Sequence, residues 1–130
     1  AGEPFKLSVE LQVEAVNPHN LLDSGAAILG SFTSPFGTGT DRSQMIFLDS
    51  AAVGWSDDTQ SAAFNVLDGA YHTYELSVDA SRVARVTVDG APALTRNNFT
   101  TNGTIALGDQ TNDPNVDGTV RIRSVTLLCP

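Results

Sequence analysis

The chain has 130 residues, of which 41% are hydrophobic and 17% charged, a balance and a length that fit one globular domain able to bury about two-thirds of its unfolded surface without a disulfide or metal. Its net charge of −8 argues against a nucleic-acid partner, because nothing in it could neutralise a row of phosphates, and against anionic membrane surfaces. Neutral sugars, calcium and basic proteins remain open as partners, and no apolar run approaches the ~18 residues of a membrane span.

Residues 5–15 form the cleanest predicted strand. Phe5, Leu7, Val9, Leu11 and Val13 alternate with Lys6, Ser8, Glu10, Gln12 and Glu14, as a strand does when one face is buried. The run Asn17-Pro18-His19-Asn20 breaks it, since proline removes a donor and constrains its predecessor. Residues 21–25 read as a helical turn or a loop, residues 26–32 as a short apolar strand, and residues 33–43, with Pro35, Gly37 and Gly39, as an exposed loop. Strands over 43–49 and 51–55 follow, then a turn at Ser56-Asp57-Asp58-Thr59 and a strand from Ala62 to Val66 that ends at Asp68-Gly69.

The stretch 71–90 is the organising unit. His72, Tyr74, Leu76 and Val78 share one face of its first arm; Ala84, Val86 and Val88 share one face of the second. Asp79-Ala80-Ser81-Arg82 supplies turn chemistry between the arms, and Asp89-Gly90 closes the second arm with a pair that tolerates positive φ. A lone hairpin is marginal in water, so it must pack on further strands. Residues 92–94 read as an edge piece, 95–103 as a polar loop, 104–107 as a strand, 108–118 as a loop and 119–128 as the last strand. In that last strand Val120 and Ile122 fall out of step with Val125 and Leu127, which predicts a β-bulge near Arg123-Ser124. No segment carries a helical period. Nine or ten short strands at this spacing predict an all-β sandwich or barrel.

Four short patterns are candidates for chemistry. Asp113-Pro114-Asn115-Val116-Asp117-Gly118 matches the head of a calcium loop, with Asp109 and Asn112 near enough to add oxygens. Ser124 stands where an EF-hand has its bidentate Glu, so the alternatives are a non-EF calcium site built on Asp109, Asp113, Asn115 and Asp117, or a polar loop closed by Asx turns. Trp55 precedes Ser56-Asp57-Asp58, and a surface indole beside carboxylates is a sugar-stacking arrangement; the other reading of Trp55 is a core or rim residue. Glu10 and Glu14 share one strand face with backbones about 13–14 Å apart. Glycoside hydrolysis needs carboxyls about 5–5.5 Å or 6.5–9.5 Å apart. Long side chains on a curved strand can lean together, so distance alone does not decide, but the first-strand position favours the simpler reading of a solvated face. Two histidines, His19 and His72, and one cysteine, Cys129, make a zinc site improbable. Cys129 reads as an incidental thiol or as a partner for a cysteine elsewhere, and Ala1-Gly2-Glu3-Pro4 as a processed mature end or an arbitrary start. Asn98-Phe99-Thr100 and Asn102-Gly103-Thr104 fit the glycosylation sequon.

The runs Tyr71-His72-Thr73-Tyr74-Glu75-Leu76, Val86-Thr87-Val88-Asp89-Gly90, Ile105-Ala106-Leu107-Gly108-Asp109 and Gly118-Thr119-Val120-Arg121-Ile122 together resemble the concanavalin A-like lectin/glucanase superfamily, in particular its laminin-G-like modules. The resemblance covers residues 71–128 well and the N-terminal half by strand pattern only. It implies a jelly roll of two curved antiparallel sheets with a ligand-binding concave face, and a structural, hydrogen-bonded role for His72. Catalytic members carry Glu-x-Asp-x-Glu on a strand; here Gln12 replaces the central Asp between Glu10 and Glu14. The expectation is a single domain over 1–130, secreted or at the cell surface. It is expected to be a non-catalytic module binding a glycan near Trp55, Asp57 and Asp58, with calcium as a candidate cofactor. The alternatives are an adhesion module that contacts a surface protein and, last, a small glycan hydrolase.

Overall fold

The computed structural model describes residues 4–16, 24–29, 45–99, 106–110 and 118–128. Ten strands lie in chain order: β1 (Phe5–Val16), β2 (Ser24–Leu29), β3 (Ile46–Leu48), β4 (Ala52–Trp55), β5 (Ser61–Ala63), β6 (His72–Val78), β7 (Ala84–Val88), β8 (Ala91–Arg96), β9 (Ala106–Gln110) and β10 (Gly118–Leu128). No helix occurs among the described residues. The strands form two five-stranded antiparallel sheets, β10-β1-β6-β7-β8 and β5-β4-β3-β2-β9, stacked as the expected β-sandwich.

The alternation read from β1 is what joins the layers. Leu7, Val9, Leu11 and Val13 are all buried, and β6 pairs beside them with Leu7 opposite Leu76 and Val9 opposite Tyr74. Ala84, Val86 and Val88 of β7 extend the same face, and Leu94 of β8 closes it. The second sheet supplies Ala26, Ile28, Ile46, Leu48, Val53 and Trp55 to the same core. Each buried aliphatic side chain contributes about 1.5–3 kcal/mol of transfer free energy, so this interleaving is the main source of stability. The central strand β3 breaks the alternation: Phe47 is buried as well as Ile46 and Leu48, so the strand is apolar on both faces and reads in sequence as a continuous run.

The turns follow their chemistry. Between β7 and β8, Val88 pairs with Ala91 and only Asp89 (φ 51°) and Gly90 (φ 85°) lie in the loop, the two-residue geometry that requires positive φ at both positions. Between β6 and β7, Asp79 Oδ1 accepts from the Ser81 and Val83 amides at 2.9 and 3.0 Å, and Arg82 takes φ 62°. The predicted bulge in β10 is present: Glu10 pairs with Ser124 and Leu11 with Ile122, which leaves Arg123 as the extra residue. β10 lies at the sheet edge with Ile122, Val125, Leu127 and Leu128 about half exposed.

Candidate functional site

The turn from β4 to β5 and the end of β8 meet at one edge of the sandwich and form a shallow polar depression. It is lined by Trp55, Thr59, Gln60, Thr95, Arg96 and Asn97 and has a volume of about 470 Å³. The turn is built locally: Trp55 donates its amide to the Gln60 carbonyl (3.1 Å), and Asp58, at φ 59°, donates to the Trp55 carbonyl (2.9 Å). Asp57 Oδ1 accepts from the Thr59 hydroxyl at 2.6 Å and the Thr59 amide at 3.2 Å.

Side chains from this turn then satisfy the backbone of β8. Gln60 Oε1 accepts from the Thr95 amide at 2.8 Å, and Trp55 Nε1 donates to the Thr95 carbonyl at 3.2 Å. Both backbone polar groups of Thr95 are therefore taken by the opposite sheet. Arg96 lies with its guanidinium carbon 5.3 Å from the Trp55 ring centroid, a cation–π distance, and forms an ion pair with Asp57. Burial alone would raise the Asp57 carboxyl; the hydrogen bonds from Arg96 and Thr59 and the Arg96 charge outweigh it and hold the group below its ordinary value.

Trp55 needs a correction. At 1% exposure its indole is not the surface stacking platform that the adjacent aspartates suggested. It packs against Phe99 with ring centroids 6.3 Å apart and forms the floor of the depression. The physical reason is the period of β4: Val53 and Trp55 lie on the core face, and at this edge the space between the layers takes a large ring. Of the three residues expected to meet a ligand, Asp57 is tied to Arg96, and Asp58 is exposed at the tip of the turn. Nothing local in the sequence marks Gln60, Thr95, Arg96 and Asn97, because Thr95 to Asn98 resembles an ordinary polar loop and its partners are about 35–40 residues away in the chain. The candidate calcium residues Asp113, Asn115 and Asp117, with Asn112, lie outside the described residues, as does the side chain of Asp109 in β9. Among the described residues no three His, Cys, Asp or Glu side chains are grouped to hold a metal.

The glutamates of β1 lie on the other side of this sheet. Glu10 pairs with Arg123 at 3.2 Å, Glu14 pairs with Arg121, and between them Gln12 donates to the Gly69 carbonyl at 2.7 Å. Arg123 also stacks 3.9 Å from the Tyr71 ring centroid. Each carboxylate is thus compensated by its own arginine. Exposed pairs of this kind are each worth about 0.2–1 kcal/mol.

A second polar cluster centres on His72, whose side chain is 12% exposed. Its Nδ1 lies 2.6 Å from Asp89 Oδ2 and its Nε2 lies 2.9 Å from both oxygens of Asp68, while Phe64 meets the ring edge-on at 4.8 Å. Burial disfavours the charged ring, but the bonds to Asp68 and Asp89 prevail and raise its pKa above the usual 6.5. The bond to His72 likewise holds Asp68 below the usual 3.8, and Asp89, which burial alone would raise, is held down by the Thr73 amide and His72. The signs fix a pH window. The His72 contribution to stability is complete below about pH 6.5 and is lost as pH rises through the raised value. The carboxylate contribution is complete above about pH 3.8 and is lost as pH falls through the lowered values. Urea midpoints measured from pH 3 to 9 should peak between about pH 4 and 6.5, and His72→Gln should flatten the alkaline decline. A midpoint that climbs from pH 7 to 9 would refute this.

No protein-family model matches the sequence, and no curated protein matches it. Among solved structures, the chain is similar to a conserved carbohydrate esterase from the Shiga toxin-encoding bacteriophage phi24B, with a TM-score of 0.56 and 12% identity over 96% of this chain and 67% of that one. An alginate lyase from Pseudomonas aeruginosa aligns with a TM-score of 0.48 and 17% identity over 98% of this chain and 65% of that one. The chain therefore spans about two-thirds of each of these proteins. At such identity the esterase comparison establishes a shared fold.

Proposed function

We propose that this domain is a non-catalytic, extracellular or cell-surface module that binds carbohydrate in the depression between the β4–β5 turn and the end of β8. The observation that carries the reading is the lining itself. Thr59, Gln60, Thr95, Arg96 and Asn97 line the depression above the buried Trp55 ring, which Arg96 covers, and several are already held in place by hydrogen bonds to the fold. Sugars are recognised by a few precisely placed polar groups, and pre-ordered side chains lose little entropy on binding. The resemblance to laminin-G-like modules and the fold shared with a carbohydrate esterase support the same class of ligand. The arginine partners of Glu10 and Glu14 support binding over hydrolysis, since a hydrolytic pair needs one carboxyl free to give a proton and one free to attack or activate water.

A glycan array read with the whole domain should give signal for at least one sugar class. Asn97→Ala and Thr59→Ala, both at exposed positions, should each weaken that signal about tenfold, the effect of one good hydrogen bond, with the melting temperature little changed. Retained binding in both variants would place the ligand elsewhere. A domain that binds no glycan favours the alternative of an adhesion module contacting a surface protein, to which the half-exposed apolar residues of β10 lend specific support.

A further inference from the structure

His72 stands where three segments meet. It opens β6; the connection from β5 brings Asp68 to one ring nitrogen, and the β7–β8 turn brings Asp89 to the other. The geometry constrains the proton count. A neutral imidazole has one N–H and one lone pair, whereas an ionised carboxylate only accepts. With a carboxylate at 2.6 Å from Nδ1 and another at 2.9 Å from Nε2, both nitrogens must donate, and the ring must be the imidazolium. Removing either proton would set a nitrogen lone pair against carboxylate oxygens.

The two arms are not equally secured. Asp89 has anchors besides the histidine, because its Oδ1 accepts from the Thr73 amide at 2.8 Å and its own amide donates to the Thr73 carbonyl at 2.8 Å. Besides His72, Asp68 is held among the described residues by amides of its own loop, that of Ala70 at 3.0 Å and its own. The ring proton toward Asp89 also makes the shorter bond. The other groups around the ring do not replace the lost donor. Phe64 presents a ring edge, Leu11 of β1 lies across from His72 in the ladder, and the Tyr74 hydroxyl on the same strand is buried with no hydrogen-bond partner among the described residues.

We propose that His72 is a proton-operated clamp on the loop at 67–70: doubly protonated it ties Asp68 to Asp89, and on losing the Nε2 proton it releases Asp68 and loosens that loop. Val66 is fully buried and Leu67 packs against the core, so the near end of the loop stays anchored and the motion is confined to Asp68, Gly69 and Ala70. Release reaches the outer face of β1, because the Gly69 carbonyl in this loop accepts from Gln12. The proton balance is simple: one proton leaves for solvent and one hydrogen bond is exchanged for solvation of the freed carboxylate. The raised pKa of His72 agrees with this arrangement.

The test is a nitrogen-15 NMR titration of the intact domain from pH 5.5 to 9. At pH 6 both ring nitrogens of His72 should show imidazolium shifts, and the transition should lie above pH 6.5. The backbone amides of Asp68, Gly69 and Ala70 and the side-chain amide of Gln12 should move with the same midpoint, while the Thr73 and Asp89 amides keep their bonds throughout. Asp68→Asn, at an exposed position, should shift the ring midpoint to lower pH. A ring that is neutral at pH 6 would overturn the proposal. So would a ring that titrates while the Asp68, Gly69, Ala70 and Gln12 signals stay still, or a midpoint that Asp68→Asn leaves in place.

Discussion

Trp55→Ala should destabilise the domain by about 3–5 kcal/mol, the range for truncating a fully buried aromatic side chain. Three losses combine. The indole is 1% exposed and packed against Phe99, so its removal leaves a cavity between the layers at their open edge. The Thr95 carbonyl loses the Nε1 donor that crosses from one sheet to the other. Arg96 loses the ring beneath its guanidinium and with it part of what holds the Asp57 pair in place. A domain of this size with a net stability of about 5–15 kcal/mol cannot absorb such a change without a large shift in its unfolding transition. The urea midpoint, followed by circular dichroism because the only tryptophan is gone, should fall sharply, and the melting temperature should drop by roughly 10–20 °C. Trp55→Phe separates the terms: it keeps a ring in the space and removes the donor, with an expected cost of about 1–3 kcal/mol. A Trp55→Ala protein with an unchanged midpoint and no glycan affinity would restore the surface platform that the sequence pattern suggested.

The burial of Trp55 marks where sequence reasoning reaches its limit. Strands whose period is set by one buried face were legible: β1 alternates from Lys6 to Val13 before its register slips at Glu14, β6 and β7 alternate along their cores, and the out-of-phase residues of β10 located the bulge at Arg123. Turn chemistry was equally legible, since Asp89-Gly90 and Asp79-Ala80-Ser81-Arg82 carry their φ requirements in their residue types. Strands without that period are less legible at their ends. β8 runs to Arg96, beyond the expected stop at Leu94, because an edge strand tolerates Pro92 and polar residues that a central strand would not. β5 spans Ser61–Ala63, earlier than Ala62 to Val66, because the polar turn before it is tighter than its composition implied. The candidate site was the least legible part. Gln60 with Thr95, and Asp57 with Arg96, are pairings across the two sheets, and nothing local in either segment announces the other. The His72 bridge was half legible: the aromatic-His-x-aromatic strand implied a structural histidine, but its two carboxylate partners come from separate turns.

Gly54→Ala is expected to cost about 1–3 kcal/mol, the range for forcing one methyl group into a filled space. Gly54 lies in β4 opposite Phe47 of β3, and the strand there has no room for a side chain. An added Cβ would stand 2.5 and 2.6 Å from the Phe47 ring atoms Cε2 and Cζ and 2.7 Å from the Gln60 carbonyl oxygen. The Phe47 ring is buried at 3% exposure, so it has little space into which to turn. The Gln60 carbonyl is backbone and accepts the Trp55 amide, so it cannot retreat without opening the turn that carries the depression. The cost should therefore exceed that at Gly90, where nothing lies within 4 Å of the added atom and only the φ of 85° opposes it, a penalty of about 1–2 kcal/mol for an L residue in that region. Combining Gly54→Ala with Phe47→Leu identifies the obstacle. If the ring is the main clash, the double variant should be more stable than the sum of the single effects predicts by at least about 0.5 kcal/mol in urea unfolding. Strict additivity would assign the clash to the Gln60 carbonyl, and Gly54→Ala should then also weaken glycan binding, because the displaced turn would carry Thr59 and Gln60 away from Thr95.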